Sequence, residues 1–222
     1  MSVATRRKRE KEERRNAILQ AAAAVFFSKG FAVATMEEIA AEAELSKGTL
    51  YLYFKNKDDL FLALSAQVVE TIARKFEELA RSGATGLEAI RAMLVAYAAH
   101  IEANPDHFRT LVVWMASGYP VDTETPAFGR HRQQVSRLIG ALVAALERGR
   151  GDGSVLAELE PAVTAPQVWG GMFGLMQLQV NREELLRRFP QPVQPTGLVP
   201  GYIDLLVQGL RREPTSAPDP HA

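Results

Sequence analysis

The chain has 222 residues, of which 47% are hydrophobic and 23% are charged, and its formal net charge is zero. This composition excludes a wholly disordered or collagen-like chain, and the absence of cysteine excludes disulfides, thiolate catalysis and cysteine-bound zinc. The sequence has no run of about 18 apolar residues and no apolar segment after its charged N-terminus, so we expect a soluble, cytoplasmic protein.

Charge is distributed unevenly along the chain. Residues 1–57 hold 11 lysines and arginines against 7 acids, a balance of +4 that leaves −4 for the remainder. A basic segment joined to an acidic remainder indicates a polyanionic partner at one end. A run such as Arg6 to Arg15 is also typical of a solvated helix start, and that alternative stays open.

Helical periodicity governs the first part of the chain. Apolar residues recur on one face of the first segment: Ile18, Ala22, Val25 and Phe26. Gly30 follows as a residue that can take a positive φ and end this helix. Thr35 and Glu38, three residues apart, form the signature of a capping box, which predicts a second helix from Met36 to about Ala43.

Another short helix follows after a tight turn at residues 43–45. Ser46 can cap this third helix, whose predicted range is Lys47 to Phe54. Asn56 can cap a long fourth helix, and the acidic residues of its first turn are favoured there by the helix dipole. Ser82 and the glycines after it end the fourth helix.

The rest of the chain predicts further helices and no strand. The expected segments are Leu87 to Ile101, Pro105 to Ser117, Pro126 to Arg148, a helix opened by Thr164 and Pro166 that ends near Glu184, and Gly201 to Arg211. The remaining stretches predict a loop at residues 118–120, a mobile or functional loop from Gly149 to Gly153, a proline-rich segment from Pro190 to Pro200, and a disordered tail. The predicted fold is therefore all-α, with about nine helices.

The two short helices form a helix-turn-helix pattern. In the second of them Leu50 and Phe54 face inward, and the opposite side presents Lys47, Gly48, Tyr51 and Lys55. Cations, tyrosine hydroxyls and a glycine that permits close approach suit a phosphate wall and base edges. An ordinary solvated helix favours glutamate and lysine pairs, so this surface favours contact with nucleic acid.

The run TMEEIAAEAELSKGTLYLYFKNKDDL, preceded by AILQAAAAVFFSKGF, closely resembles the DNA-binding domain of the tetracycline-repressor (TetR) family of bacterial transcriptional regulators. The resemblance covers roughly residues 9–62 and includes the capping box, the turn and the recognition helix in order and spacing. It implies a basic arm with a helix-turn-helix DNA-binding domain at residues 1–56, a helical ligand-binding and dimerisation domain at residues 57–212, and a disordered tail at residues 213–222.

The resemblance also implies which residues contact DNA: Thr35, Ser46, Lys47, Gly48, Thr49, Tyr51, Tyr53 and Lys57. Tyr51 would project into the major groove, and Lys57 would bind a flanking phosphate. Leu52 departs from the commoner tyrosine, so that an apolar contact to a thymine methyl could replace a hydroxyl contact. The basic arm either enters the adjacent minor groove or is disordered without DNA, and it consists of Arg6, Arg7, Lys8 and Arg9.

By the same resemblance the central helices would bind a small, largely apolar effector. The candidate residues are aromatic, methionine and histidine side chains: Met93, Tyr97, His100, Phe108, Trp114, Met115, Met172, Phe173 and Met176. Filling of a helical core is the alternative explanation for each of them. His100 and His107 are the candidates for a polar anchor, and the break at Asn104 and Pro105 between them argues against a metal site. We expect no metal and no cofactor.

A homodimer through the last two long helices is also implied, with Gly170, Gly171 and Gly174 letting two backbones approach closely or relieving crowding within one subunit. The sequence thus predicts a ligand-responsive, sequence-specific DNA-binding regulator, a repressor released from a palindromic operator by a small molecule. The alternative is a helical ligand-binding protein or enzyme with no DNA role. No nucleophile with an adjacent base and no phosphate-binding glycine loop can be identified, so we do not expect an enzyme.

Overall fold

A computed structural model gives the structure of the chain and describes residues 3–116, 122–181, 183, 187 and 197–212. Nine helices and no strand lie within these residues, which confirms the all-α prediction. The helices are α1 (Val3–Lys29), α2 (Met36–Glu42), α3 (Lys47–Tyr51), α4 (Lys57–Ala80), α5 (Gly86–Ala103), α6 (Pro105–Ala116), α7 (Pro126–Asp152), α8 (Pro161–Val180) and α9 (Leu198–Leu210). None of these helices is long and apolar enough to cross a lipid bilayer.

The start of α2 is fixed by the predicted capping box. Glu38 N–H donates to Thr35 Oγ1 at 3.2 Å, and Thr35 N–H donates to Glu38 Oε2 at 3.0 Å. The other carboxylate oxygen of Glu38 accepts from Lys29 Nζ at 2.6 Å, at the end of α1. Gly30 takes a φ of +86° and ends α1, as predicted. Local interactions therefore fix the junction between α1 and α2.

The chain divides into two packing units. One contains Met1–Ala73 and His100–Ser136, and the other contains Arg74–Ala99 and Arg137–Ala222. The predicted division into DNA-binding residues 1–56 and ligand-binding residues 57–212 concerns function rather than packing, and it stays a prediction.

Aromatic side chains form the centre of the first unit. The Phe61 ring lies 6.1 Å from the Phe26 ring, 5.4 Å from the Phe31 ring and 5.1 Å from the Trp114 ring. The three phenylalanines are buried, and Leu50 of α3 joins the same core. Full burial of a side chain such as Leu50 stabilises the fold by about 1.5–3 kcal/mol. The burial of Leu50 therefore holds α3 against this core.

The third helix is shorter than predicted, because it ends at Tyr51 and not at Phe54. Leu52 N–H and Tyr53 N–H bond to carbonyls three residues earlier, at 3.2 and 3.0 Å, so the chain tightens into a turn. Phe54 is nevertheless buried, as the spacing from Leu50 requires.

The predicted loop from Gly149 to Gly153 is wrong, because α7 continues to Asp152 and ends at Gly153, whose φ is +77°. A Cβ on Gly86 would overlap the backbone N of Gly149 and the carbonyl oxygen of Ala145 in α7. Gly86 N–H also donates to Asp152 Oδ2 at 2.8 Å. Close packing against the start of α5 therefore holds a glycine-rich helix that intrinsic propensity disfavours.

The bounds of α8 and α9 also differ from the prediction. Helix α8 begins at Pro161, because proline fits the first helical position, and Pro166 lies inside the helix without an N–H to donate. It ends at Val180 rather than near Glu184. Helix α9 begins at Leu198 rather than Gly201, since Pro200 falls in its first turn, where no intrahelical donor is needed. The predicted loop at residues 118–120, most of the proline-rich segment and the tail lie outside the described residues.

Candidate nucleic-acid interface and effector residues

A local cap begins α3. Ser46 Oγ accepts from Thr49 N–H at 3.2 Å and lies 2.9 Å from Thr49 Oγ1. In the turn before it, Glu44 takes a φ of +55°, a left-handed conformation that reverses the chain between α2 and α3. Because Leu50 is fully buried, the opposite side of α3 is left open.

The open side of α3 carries the predicted recognition residues. Lys47 and Gly48 are exposed, Tyr51 is 45% exposed, and Leu52, just after the helix, is 81% exposed. Thr35 and Ser46 are also exposed, at the first residues before α2 and α3. The structure thus brings polar, aromatic and apolar groups to one surface, as reading base edges in a groove requires.

Lys47 is held by a neighbouring carboxylate. Its Nζ donates to Glu37 Oε1 of α2, and it lies 5.9 Å from the centre of the Tyr51 ring. This hydrogen bond raises the pKa of Lys47 and lowers the pKa of Glu37. Both side chains are exposed, so the ion pair is weak and Lys47 can exchange the carboxylate for a phosphate.

Lys57 makes a different set of contacts. Its Nζ donates to the carbonyl oxygens of Phe31, Ala32 and Ala34 at 2.7, 3.1 and 3.0 Å. Burial lowers the pKa of Lys57, and the adjacent Asp58 opposes this effect. These three bonds occupy the donors that the implied phosphate contact would use.

A basic cleft of about 320 Å³ lies beside Tyr53. Lys11, Arg15 and Arg130 line it together with Glu12, Leu52 and Pro126. The Arg15 guanidinium lies over the Phe54 ring, 5.3 Å from its centre. Burial lowers the pKa of Arg15, and the positive charge of Arg130 lowers it further. The sequence does not predict this cleft, because nothing in it relates the start of α7 to α1.

The basic arm is helical in the structure rather than disordered. Arg6, Arg7, Lys8 and Arg9 are exposed residues of α1. Arg6 pairs with Glu10 at 2.8 Å and Arg9 pairs with Glu13 at 3.3 Å, one helical turn away. Pairs at this spacing favour the helix, which explains the difference from a disordered arm.

The candidate effector residues separate between the two units. In the second unit Met93, Tyr97, Met172 and Met176 are buried, and Phe173 is partly buried. The Tyr97 ring packs against the Trp169 ring at 4.7 Å, and burial raises the pKa of Tyr97. These residues belong to α5 and α8.

The other candidates lie in the first unit. Phe108 is buried, Trp114 packs on Phe61, and Met115 is 58% exposed. His100 and His107 line a cleft of about 370 Å³ with apolar residues of α1 and α4. Among the described residues, no group of three or more histidines and carboxylates is placed to hold a metal ion.

The three predicted interface glycines are not equivalent. A Cβ on Gly171 would overlap Tyr202 Oη of α9, so Gly171 permits packing within the chain. Gly170 and Gly174 face open space. Large exposed apolar side chains also lie on α8 and α9: Val163, Leu178 and Leu205.

Comparison with known proteins identifies relatives of this chain. Residues 18–64 match the family model of bacterial regulatory proteins of the tetR family. The HTH-type transcriptional activator FasR from Mycolicibacterium smegmatis is 32% identical over 101 residues, which make up 46% of each protein. The chain spans about half the length of the curated relatives it matches.

Solved structures share the fold over most of the chain. The transcriptional regulator FadR from Bacillus subtilis, in complex with stearoyl-CoA, matches with a TM-score of 0.70 at 18% identity and covers 88% of this chain and 98% of that one. SmeT, the repressor of the Stenotrophomonas maltophilia multidrug efflux pump SmeDEF, matches with a TM-score of 0.68 at 19% identity, over 94% of this chain and 97% of that one.

Proposed function

We propose that this chain, whose residues 18–64 match the family model of tetR bacterial regulatory proteins, is a homodimeric DNA-binding repressor of that family that a small molecule releases from a palindromic operator. The observation that carries the proposal is the open side of α3, where Lys47, Gly48 and Tyr51 are exposed opposite the buried Leu50. This side enters the major groove, and Lys47 and Tyr51 contact bases and phosphates there.

In the proposed complex, contacts to DNA phosphates surround α3. The hydroxyl groups of Thr35, Ser46, Thr49 and Tyr53 donate hydrogen bonds to phosphate oxygens of the DNA backbone. The exposed arm in α1 adds positive charge. The basic cleft beside Tyr53 binds a further phosphate, because the three cations that line it, Lys11, Arg15 and Arg130, outnumber its one carboxylate, that of Glu12.

The proposed dimer forms through α8 and α9. Gly170 and Gly174 leave space for close approach, and the exposed apolar side chains on these helices need cover from water. A palindromic operator requires the two α3 helices of such a dimer to lie one DNA turn apart, about 34–36 Å.

The proposed effector occupies the second unit, among the buried methionines of α5 and α8. Thioether side chains are unbranched and adapt to an apolar ligand. Binding shifts α4 and changes the distance between the two recognition helices. DNA affinity then falls by the coupling free energy, typically about 1–3 kcal/mol.

Selection of bound duplexes from a random DNA pool tests the proposal without an assumed operator. We expect a palindromic consensus whose affinity falls steeply as salt rises. With that consensus duplex, Lys47→Met should weaken binding about tenfold or more and reduce the slope of log K against log salt by about 0.9. The matched control is Lys75→Met, an exposed lysine of α4 that pairs with Glu78, which should bind like the wild type.

Circular dichroism should show that all these variants keep the same helix content. Sequence-independent enrichment by the wild-type protein would contradict the proposed function and favour a ligand-binding protein with no DNA role.

Two further measurements test the dimer and the effector. Light scattering should give a dimer for the wild type and for Gly129→Leu, and a monomer for Gly174→Leu, since only the second leucine lies in the proposed interface. Stearoyl-CoA, the ligand of the FadR structure, is the first probe for effector binding: it should raise the melting temperature and release the consensus duplex.

A further inference from the structure

Lys57 occupies an unfavourable place for a cation. It is the first residue of α4, where the helix dipole favours negative charge, and Asp58 and Asp59 follow it in the same turn. A lysine at this position therefore needs a partner that offsets the dipole. The structure supplies that partner from the segment between α1 and α2.

The ammonium group is fully coordinated by the protein itself. A lysine has three N–H donors, and Lys57 directs them at the carbonyl oxygens of Phe31, Ala32 and Ala34 at 2.7–3.1 Å. The same Nζ lies 4.6 Å from the centre of the Phe31 ring. No donor remains for a phosphate while these bonds persist.

We propose that Lys57 is a positioning residue for DNA binding and not a phosphate ligand, because its ammonium ties the start of α4 to the carbonyls of residues 31–34. The part of this inference that concerns DNA binding rests on the proposed function. Residue 34 directly precedes Thr35, which caps α2 and carries a proposed phosphate contact. Lys57 thus acts on DNA through Thr35.

The start of α4 is itself held on two other sides. Asn56 Oδ1 accepts from Asp59 N–H at 2.8 Å, and Asp58 Oδ1 accepts from Trp114 Nε1 of α6 at 2.9 Å. The Lys57 bonds therefore connect a fixed helix start to the segment before α2. A displacement of α4 must either carry residues 31–34 with it or break these bonds.

Hydrogen exchange of the free protein tests this connection. We expect Lys57→Met, which keeps the length of the side chain, to speed exchange of the amides of residues 31–39 about tenfold, with Lys75→Met as the unchanged control. Lys57→Arg should do the same, since a planar guanidinium does not match three carbonyls around one nitrogen. It also keeps the charge, so it remains informative if Lys57→Met fails to fold.

DNA binding separates the two roles of Lys57. With the consensus duplex, Lys57→Met and Lys57→Arg should both weaken binding and leave the salt slope at the wild-type value, whereas Lys47→Met lowers that slope by about 0.9.

A salt slope reduced by about 0.9 in Lys57→Met would overturn the proposal, as would wild-type exchange and affinity in Lys57→Arg. If the wild-type protein selects no consensus, the proposed function fails, while the exchange measurement still decides whether Lys57 holds residues 31–34.

Discussion

His107 makes the free energy of unfolding of the protein depend on pH. Its side chain is 8% exposed, and its ring packs edge-on against Phe27 at 5.9 Å. Burial, with a smaller contribution from the charge of His100, lowers its pKa from 6.5 to about 4. The other charged group of the surrounding cleft is the carboxylate of Asp106.

The sign of the effect follows from the lowered pKa. Between pH 6.5 and about 4 the unfolded chain binds a proton that the folded chain does not, so stability falls as pH falls through this range. At about 1.4 kcal/mol for each pKa unit, the whole contribution of His107 is about 3 kcal/mol. About 2 kcal/mol of it is lost between pH 8 and pH 5.

Urea unfolding of the wild type and of His107→Phe at pH 8 and pH 5 measures this contribution. Phenylalanine keeps the aromatic contact with Phe27 and does not titrate. We expect the wild type to lose about 2 kcal/mol more than the variant over this range, since all other titrations are common to both. An equal loss in the two proteins would refute the assignment to His107.

Four further substitutions test the packing described above. Gly86→Ala should destabilise the protein by about 1–3 kcal/mol in urea unfolding because its Cβ overlaps the α7 backbone, whereas Gly140→Ala, in open space on α7, should stabilise it by about 0.5–1 kcal/mol. Leu50→Ala should cost about 2–5 kcal/mol in the same assay, and DNA binding should fall with it. Trp114→Phe removes the hydrogen bond to Asp58 and should lower stability by about 1 kcal/mol; an unchanged unfolding midpoint would contradict that bond.

The first helices could be predicted because local signals define them. Thr35 and Glu38 lie three residues apart, and Gly30 ends α1 by its own conformational freedom, so neither depends on distant parts of the chain. The end of α7 could not be predicted in this way. Its glycines favour a loop when read alone, whereas the close approach of Gly149 to Gly86 and the hydrogen bond from Gly86 N–H to Asp152 stabilise the helix there.

The residues of the candidate site show the same difference between local signals and contacts formed only on folding. Ser46, Lys47 and Tyr51 follow from the sequence, because they share one short helix and its cap. The basic cleft does not, since Arg15 and Arg130 meet only after α1 and α7 have packed. The contacts of Lys57 also escaped prediction, because the partners of its ammonium are backbone carbonyls, which have no signature in the sequence.

Under the proposed function, the ion pair between Glu37 and Lys47 affects how the protein searches a genome. Random DNA offers mainly phosphate charge, and a phosphate that reaches Lys47 must displace a carboxylate that already neutralises it. Glu37 then remains as a negative charge near the DNA backbone. Binding to random sequence is weakened, while an operator offsets the same cost with contacts to its bases. Glu37 thus shortens the time that the protein spends on each of the millions of competing DNA sites in a genome.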